Sequence, residues 1–145
     1  MTMSLEHQRI DALYEEWRRC WRELDGMAMV DLFSDEDDGI IYQPEEFPKP
    51  FLDKEKLHRY WVSVPRDVIE RIEEWEELSK VVMPLDGSTT ILYVLTNTTL
   101  RLHGIGSVIS GVLRSTLVIR NSPSGEARIV HYHESRLLKL GLTVA

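Results

Sequence analysis

Three β-rich runs follow one another through the second half of the chain with very little between them. Thr89 to Leu102 and Ser107 to Arg120 are dense in Thr, Val, Ile and Leu, and only His103-Gly104-Ile105-Gly106 separates them. Asn121-Ser122-Pro123-Ser124-Gly125 then turns the chain into a third run, Ala127 to Leu138. Connections this short join antiparallel neighbours, because a parallel pair needs a crossover of about a dozen residues. A meander of this length has a face that must be covered. The first part of the chain supplies the cover.

From Leu5 to Leu24 the apolar residues Ile10, Leu13, Tyr14, Trp17, Trp21 and Leu24 fall at helical spacing among Glu15, Glu16, Arg18, Arg19, Arg22 and Glu23, which predicts an amphipathic helix. Asp25-Gly26 stops it, and Ala28, Val30, Leu32 and Phe33 predict a second, short helix. Ser34 through Gly39 reads as an acidic turn, and Ile40-Ile41-Tyr42 as a short strand broken at Pro44. The stretch from Glu45 to Leu52, with Pro48 and Pro50, reads as loop. Asp53 is placed to N-cap a third helix whose apolar face is Leu57, Tyr60, Trp61 and Val64 and which ends at Pro65. Helices first and a meander last predict an α+β fold with helices on one face of a curved sheet. No linker, repeat or low-complexity tract interrupts the 145 residues, so a single domain over 1–145 is expected.

Asp67 to Met83 is ambiguous on local rules. Val68, Ile72, Trp75, Leu78 and Val82 recur at helical spacing among several glutamates, and propensity favours helix; the alternating reading through Ile69, Arg71, Glu73 and Trp75 makes a poor strand.

Composition narrows the partners. Lys and Arg number 17 against 24 acidic residues, a net charge of −7, which opposes binding to nucleic acid or an anionic membrane surface. The longest apolar run, Ile91 to Leu95, is far short of the ~20 residues of a membrane span. Glu6, His7, Gln8 and Arg9 stand where a signal peptide needs an apolar core, so a cytoplasmic location is expected. With Cys20 as the only cysteine there is no intrachain disulfide and no thiolate-rich zinc site.

The order helix, helix, strand, helix and meander, ending in His131-Tyr132-His133-Glu134-Ser135, resembles the superfamily of nuclear transport factor 2, the SnoaL-like polyketide cyclases and ketosteroid isomerase. Leu32-Phe33-Ser34-Asp35, then Tyr42-Gln43-Pro44-Glu45 with His58-Arg59-Tyr60, and the histidine-containing last strand carry the likeness across nearly the whole chain. The latter two are most similar to the association domain of calcium/calmodulin-dependent kinases. The resemblance implies a cone-shaped α+β barrel in which a strongly bent, mostly antiparallel mixed sheet wraps the helices around a cavity. It also implies that Val68 to Met83 is a strand despite its glutamates, since tertiary context overrides propensity.

Ketosteroid isomerase chemistry needs an aspartate base before the proline of the first strand and an oxyanion hole made by a helical tyrosine and a protonated acid. The matching positions here hold Gln43, Trp17 and, around Arg114 and Ser115, no acid, so the groups for that reaction are missing. The arginines of the kinase association domain are likewise replaced, by Glu134, Thr116 and Leu95. His131 and His133 share a strand but lack a third ligand at motif spacing; no metal and no cofactor are expected.

What the implied cone brings together is Tyr14, Trp17, Tyr42, Tyr60, Trp61, Arg114, Thr116, Tyr132 and Glu134. Glu134 is expected to be inward and to act as the acid or base with help from Tyr42, and the others to bind a small, largely apolar ligand. Alternation along the last strand then turns His131 and His133 to the exterior. Leu113, Leu117, Ile119 and Ile129 are expected on the outer face of the sheet, where they would make a homodimer interface. Two functions follow: a small-molecule pocket protein of the SnoaL-like type, binding its ligand with or without isomerase, cyclase or dehydratase chemistry, and a non-catalytic assembly domain whose cavity is vestigial and filled by Trp17 and Trp61.

Overall fold

The computed structural model describes residues 5–36, 38–104, 106–122 and 124–137. The opening residues 1–4, the turn residues Asp37, Ile105 and Pro123, and the expected end of the last strand at Leu138 lie outside them. The elements in order are α1 (Leu5–Glu23), α2 (Gly26–Asp31), β1 (Ile41–Gln43), α3 (Lys54–Ser63), a π-helical turn (Val64–Val68), β2 (Ile69–Pro84), β3 (Thr89–Leu102), β4 (Val108–Asn121) and β5 (Ala127–Arg136).

The helices begin and end where their capping chemistry dictates. Leu24 takes a positive φ of 53° past the end of α1, and the Asp25 amide bonds back to the Cys20 carbonyl at 2.9 Å. Asp25 then caps α2 by accepting from the Ala28 amide at 3.1 Å, and Asp53 caps α3 by accepting from Lys56 at 2.8 Å. Gly26 is required by packing: a Cβ there would stand 2.7 Å from the Trp61 carbonyl oxygen, so only glycine lets α2 approach α3.

The five strands form one mixed sheet in the order β1-β5-β4-β3-β2, antiparallel except for the parallel pairing of β1 with β5. The sheet does not close into a barrel: β1 and β2 stand apart as its two edges. Its inner face carries Leu92, Val94, Leu100, Leu117, Ile119, Ile129 and Tyr132, which join Ile10, Leu13, Tyr14, Trp17 and Trp21 of α1 and Leu57 and Trp61 of α3 in one core.

The disputed segment is a strand. β2 pairs with β3 from Ile69 to Pro84, and its register slips at three places. The partners Ile69↔Leu102, Ile72↔Leu100 and Trp75↔Thr98 advance three residues on β2 for every two on β3. Bulges therefore place residues three apart on one face, which imitates the periodicity of a helix.

A fourth slip lies between the pairs Val118↔His131 and Ile119↔Ile129. It resets the alternation of β5, so that Ile129, Tyr132 and Glu134 are all buried while His133 is exposed. The same register corrects the expected outer apolar face. Leu113, Leu117, Ile119 and Ile129 are buried on the inside. The residues that alternate with them, Val112, Arg114, Thr116 and Val118 on β4, stand on the outer face instead.

A candidate acid-base site at the mouth of the cone

Seven aromatic side chains close a ring inside the cone. Trp17 contacts Tyr132 at 6.0 Å, Tyr132 stacks on Tyr42 at 4.8 Å, and Tyr42 meets Tyr60 at 5.9 Å. Tyr60 contacts Trp61 at 6.0 Å, Trp61 meets Trp21 edge-on at 5.1 Å, Trp21 stacks on Trp75 at 5.3 Å, and Trp75 returns to Trp17 at 5.7 Å. Each contact lies in the range where aromatic pairs attract. α1, β1, α3, β2 and β5 all contribute, so the ring depends on the whole fold.

Above this ring lies a cavity of about 120 Å³ lined by Trp21, Tyr60, Glu134 and the loop carboxylates Glu45 and Glu46, with Val64, Val68, Ile69, Leu100, Leu102 and Ile109 as its apolar wall. Glu134 is 4% exposed, and its Oε1 has no hydrogen-bond partner. Burial away from water raises the Glu134 carboxyl well above its ordinary range, and the neighbouring charges of Glu45 and Glu46 raise it further, against the opposing pull of Arg136. Both effects favour the protonated form of the carboxyl, which lies within hydrogen-bonding reach of Glu45.

Glu45 is held from the other side by Arg136, whose Nε donates to Oε1 at 2.8 Å and Nη2 to Oε2 at 3.1 Å, a bidentate fork. Arg136 Nη1 donates to Thr98 Oγ1 at 3.1 Å, which fixes the guanidinium against β3. Tyr60 donates its hydroxyl to Glu46. The Tyr132 hydroxyl lies 3.3 Å from Ser115 Oγ, while the Tyr42 hydroxyl and the Trp61 indole N–H are buried without partners. Burial and the nearby carboxyls raise the phenols of Tyr42, Tyr60 and Tyr132, so all three are neutral donors.

Of the residues expected in the site, Glu134 and Tyr60 line the cavity, and Tyr42, Tyr132, Trp17 and Trp61 form the ring behind it. Tyr14 stacks on Trp17 but turns its hydroxyl to Glu77 of β2, away from the cavity. Arg114 and Thr116 are not there. Arg114 donates to Ser135 Oγ at 3.1 Å and Thr116 pairs with His133, both on the outer face, because they alternate with the buried Leu113, Ser115 and Leu117. Gln43 also points away, donating its amide to the Pro44 and Phe47 carbonyls.

Four residues were not foreseen: Glu45, Glu46, Trp21 and Arg136. Arg136 was open to inference, since it follows Glu134 by two on the same strand. The two loop glutamates carried no periodic signal.

His131 and His133 flank a larger groove of about 710 Å³ that Glu45, Glu134 and Arg136 also line, and partial burial lowers the His131 imidazole. Among the described residues no group of three or more His, Cys, Asp and Glu side chains is arranged to hold a metal ion. Burial pushes the Cys20 thiol up to about 12, so it is inert as a nucleophile near neutrality. Among the described residues no helix is long and apolar enough to cross a membrane.

No protein-family model and no curated protein matches the chain. Solved structures do. A ketosteroid isomerase-like protein from Erwinia carotovora atroseptica superposes with a TM-score of 0.78 over 94% of this chain and 100% of its own, at 17% identity. A candidate dehydratase of the nuclear transport factor 2-like family from Streptomyces avermitilis gives 0.76 over 92% and 98%, at 13% identity. A candidate calcium/calmodulin-dependent kinase II association domain from Exiguobacterium sibiricum gives 0.75 over 96% and 98%, at 17% identity. The chain has the nuclear transport factor 2-like α+β cone fold.

Proposed function

We propose that this cone is a small-molecule pocket whose chemistry is proton handling at Glu134. The observation that supports the reading is a carboxyl, 4% exposed, with an unpartnered oxygen, in the wall of a largely apolar cavity. Leaving such a group unsatisfied costs about 1–3 kcal/mol, a sacrifice of stability that a purely structural residue does not need. Tyr42 stands behind it with an unpartnered hydroxyl, in reach of the charge that forms when Glu134 ionises. A carboxyl that is neutral at rest donates a hydrogen bond or a proton to a ligand acceptor and takes it back later, which is the elementary step of isomerisation and dehydration.

The cavity also limits the ligand. At about 120 Å³ it is smaller than the ~300 Å³ at which drug-sized pockets begin, so a fused-ring steroid does not fit and a compact molecule does. Tyr60 and Trp21 would hold its body, with Tyr132, Trp17 and Trp61 bracing them from behind. Thermal-shift measurement against compact carbonyl, hydroxyl and amine compounds tests this: a ligand at 100 times its Kd adds about 2.7 kcal/mol of stability. A hit that persists in Glu134→Ala places binding elsewhere and overturns the assignment.

A second reading, an assembly domain, has its own support. Trp17 and Trp61 are 0% and 1% exposed and pack in the core. On the outer face the sheet presents Ile91, Tyr93, Leu95 and Val118 beside Thr116, Arg114 and His133. We infer that two copies pair through this face, which would cover its apolar stripe. Light scattering of the wild type and of Tyr93→Glu, a half-buried position on that face, tests it: a dimer that becomes a monomer is expected, and a monomeric wild type at micromolar concentration overturns it.

A further inference from the structure

Three carboxyl groups converge on one end of the cavity, those of Glu45, Glu46 and Glu134, and among the described residues that line it there is no lysine, arginine or histidine. The nearest guanidinium, Arg136, is already committed in bidentate fashion to Glu45 and through its third nitrogen to Thr98. Among the described residues Glu46 accepts a hydrogen bond from the Tyr60 hydroxyl alone. The acidic groups alone would signify little at a loop rim. The second observation is Glu134 itself, 4% exposed, with an unpartnered Oε1 in the wall of the same space.

The remaining wall has the composition that suits an alkylammonium group. Trp21 and Tyr60 supply aromatic surface, and cations within ~6 Å of such rings are attracted by their quadrupole. Val64, Ile69, Leu100 and Leu102 supply the apolar surface for the carbon body. Resting on the pocket reading above, we propose that the ligand is a compact organic amine, bound as its ammonium ion with Glu134 as its counter-ion.

Binding then carries a proton. In the free protein burial, and then the charges of Glu45 and Glu46, favour the protonated form of Glu134. The groups that face it are Glu45 and Glu46 from the loop after β1, Tyr42 of β1, Tyr60 of α3, and Tyr132 and Arg136 of β5. An ammonium ion brings the positive charge that lets Glu134 ionise. One proton leaves Glu134 for solvent as the amine, already protonated, enters. Affinity for the amine must therefore rise with pH, whereas a neutral ketone of the same shape, which accepts from protonated Glu134, must not gain.

Calorimetric titration of the full chain with cyclopentylamine, cyclopentanone and cyclopentanecarboxylate, in buffers of differing ionisation enthalpy, tests this. The expected result is binding of the amine with release of a proton, tightening as pH rises through the neutral range. Glu134→Gln is expected to remove that dependence. Glu46→Gln, at the exposed rim, is expected to weaken the amine several-fold and the ketone distinctly less. Preference for the ketone or the carboxylate, amine binding without proton release, or an amine affinity indifferent to Glu46→Gln overturns the proposal while leaving the pocket in place. Failure of all three compounds, and of the wider thermal-shift panel, removes the pocket reading itself.

Discussion

Tyr42 and Tyr132 stack with ring centroids 4.8 Å apart because β1 pairs in parallel with β5 in a register that sets the two tyrosines side by side. The pair is one link of the aromatic ring, and both residues are fully buried. The hydroxyls are unequal: that of Tyr132 faces Ser115, and that of Tyr42 has no partner.

Removing the Tyr42 hydroxyl therefore separates packing from function. Tyr42→Phe keeps the stack and deletes a buried group left unsatisfied, so its stability in urea unfolding should equal or exceed that of the wild type. Tyr42→Ala should cost about 3–5 kcal/mol. If Tyr42→Phe loses ligand binding while remaining fully folded, the hydroxyl belongs to the site.

Gly26 tests the contact between α2 and α3. An added Cβ would meet the Trp61 carbonyl oxygen at 2.7 Å, and backbone on both sides cannot yield cheaply. Gly26→Ala should destabilise by about 1–3 kcal/mol, although alanine has the higher helix propensity. A neutral or stabilising result in equilibrium unfolding would mean that the two helices are not in contact as described.

Element order was legible in the sequence because the turns and caps are local chemistry: Asp25, Asp53, the four-residue turn after Leu102 and the turn after Asn121 all lie where their residue types place them. Side-chain direction was less legible, because it depends on register. A bulge on β5 puts Ile129 and Tyr132 on one face although their numbers differ by three, and strict alternation cannot foresee that. The misplacement of Arg114 and Thr116 had a different origin. The resemblance to the kinase association domain implies an inward Thr116, with Arg114 on the same face, whereas their own neighbours, the large apolar Leu113 and Leu117, claim the inner face. Glu45 and Glu46 sit in an irregular loop and reach the site only because β1 lies beside β5.

Substitutions on β2 discriminate the bulged strand from the helix that its spacing imitates. On a helix Trp75 and Leu78 would share one buried face. On the strand Trp75 packs on Trp17 and Trp21 while Leu78 is 50% exposed. Trp75→Ala should cost about 3–5 kcal/mol, and Leu78→Lys should stay within about 0.5 kcal/mol of wild type. Comparable losses at both positions would contradict the register.

The pH dependence of stability follows from Glu134. In the unfolded chain this carboxyl ionises around its ordinary value of 4.5, while in the folded chain burial and the charges of Glu45 and Glu46 keep it protonated to much higher pH. Above that value the unfolded state binds fewer protons than the folded state, so the contribution of Glu134 is fully present at low pH. It is lost as pH rises toward the folded value, at up to about 1.4 kcal/mol per unit. His131 acts in the opposite sense: its imidazole is lowered by burial, so it costs stability as pH falls below its ordinary 6.5. The difference between wild type and Glu134→Gln cancels the histidine, since both proteins contain it. That difference, measured by urea unfolding from about pH 5 to pH 8, should move steadily in favour of the glutamine variant. A difference independent of pH would mean that Glu134 ionises in the folded chain like a solvated carboxylate, and the acid at the mouth of the cone would then be a base at rest.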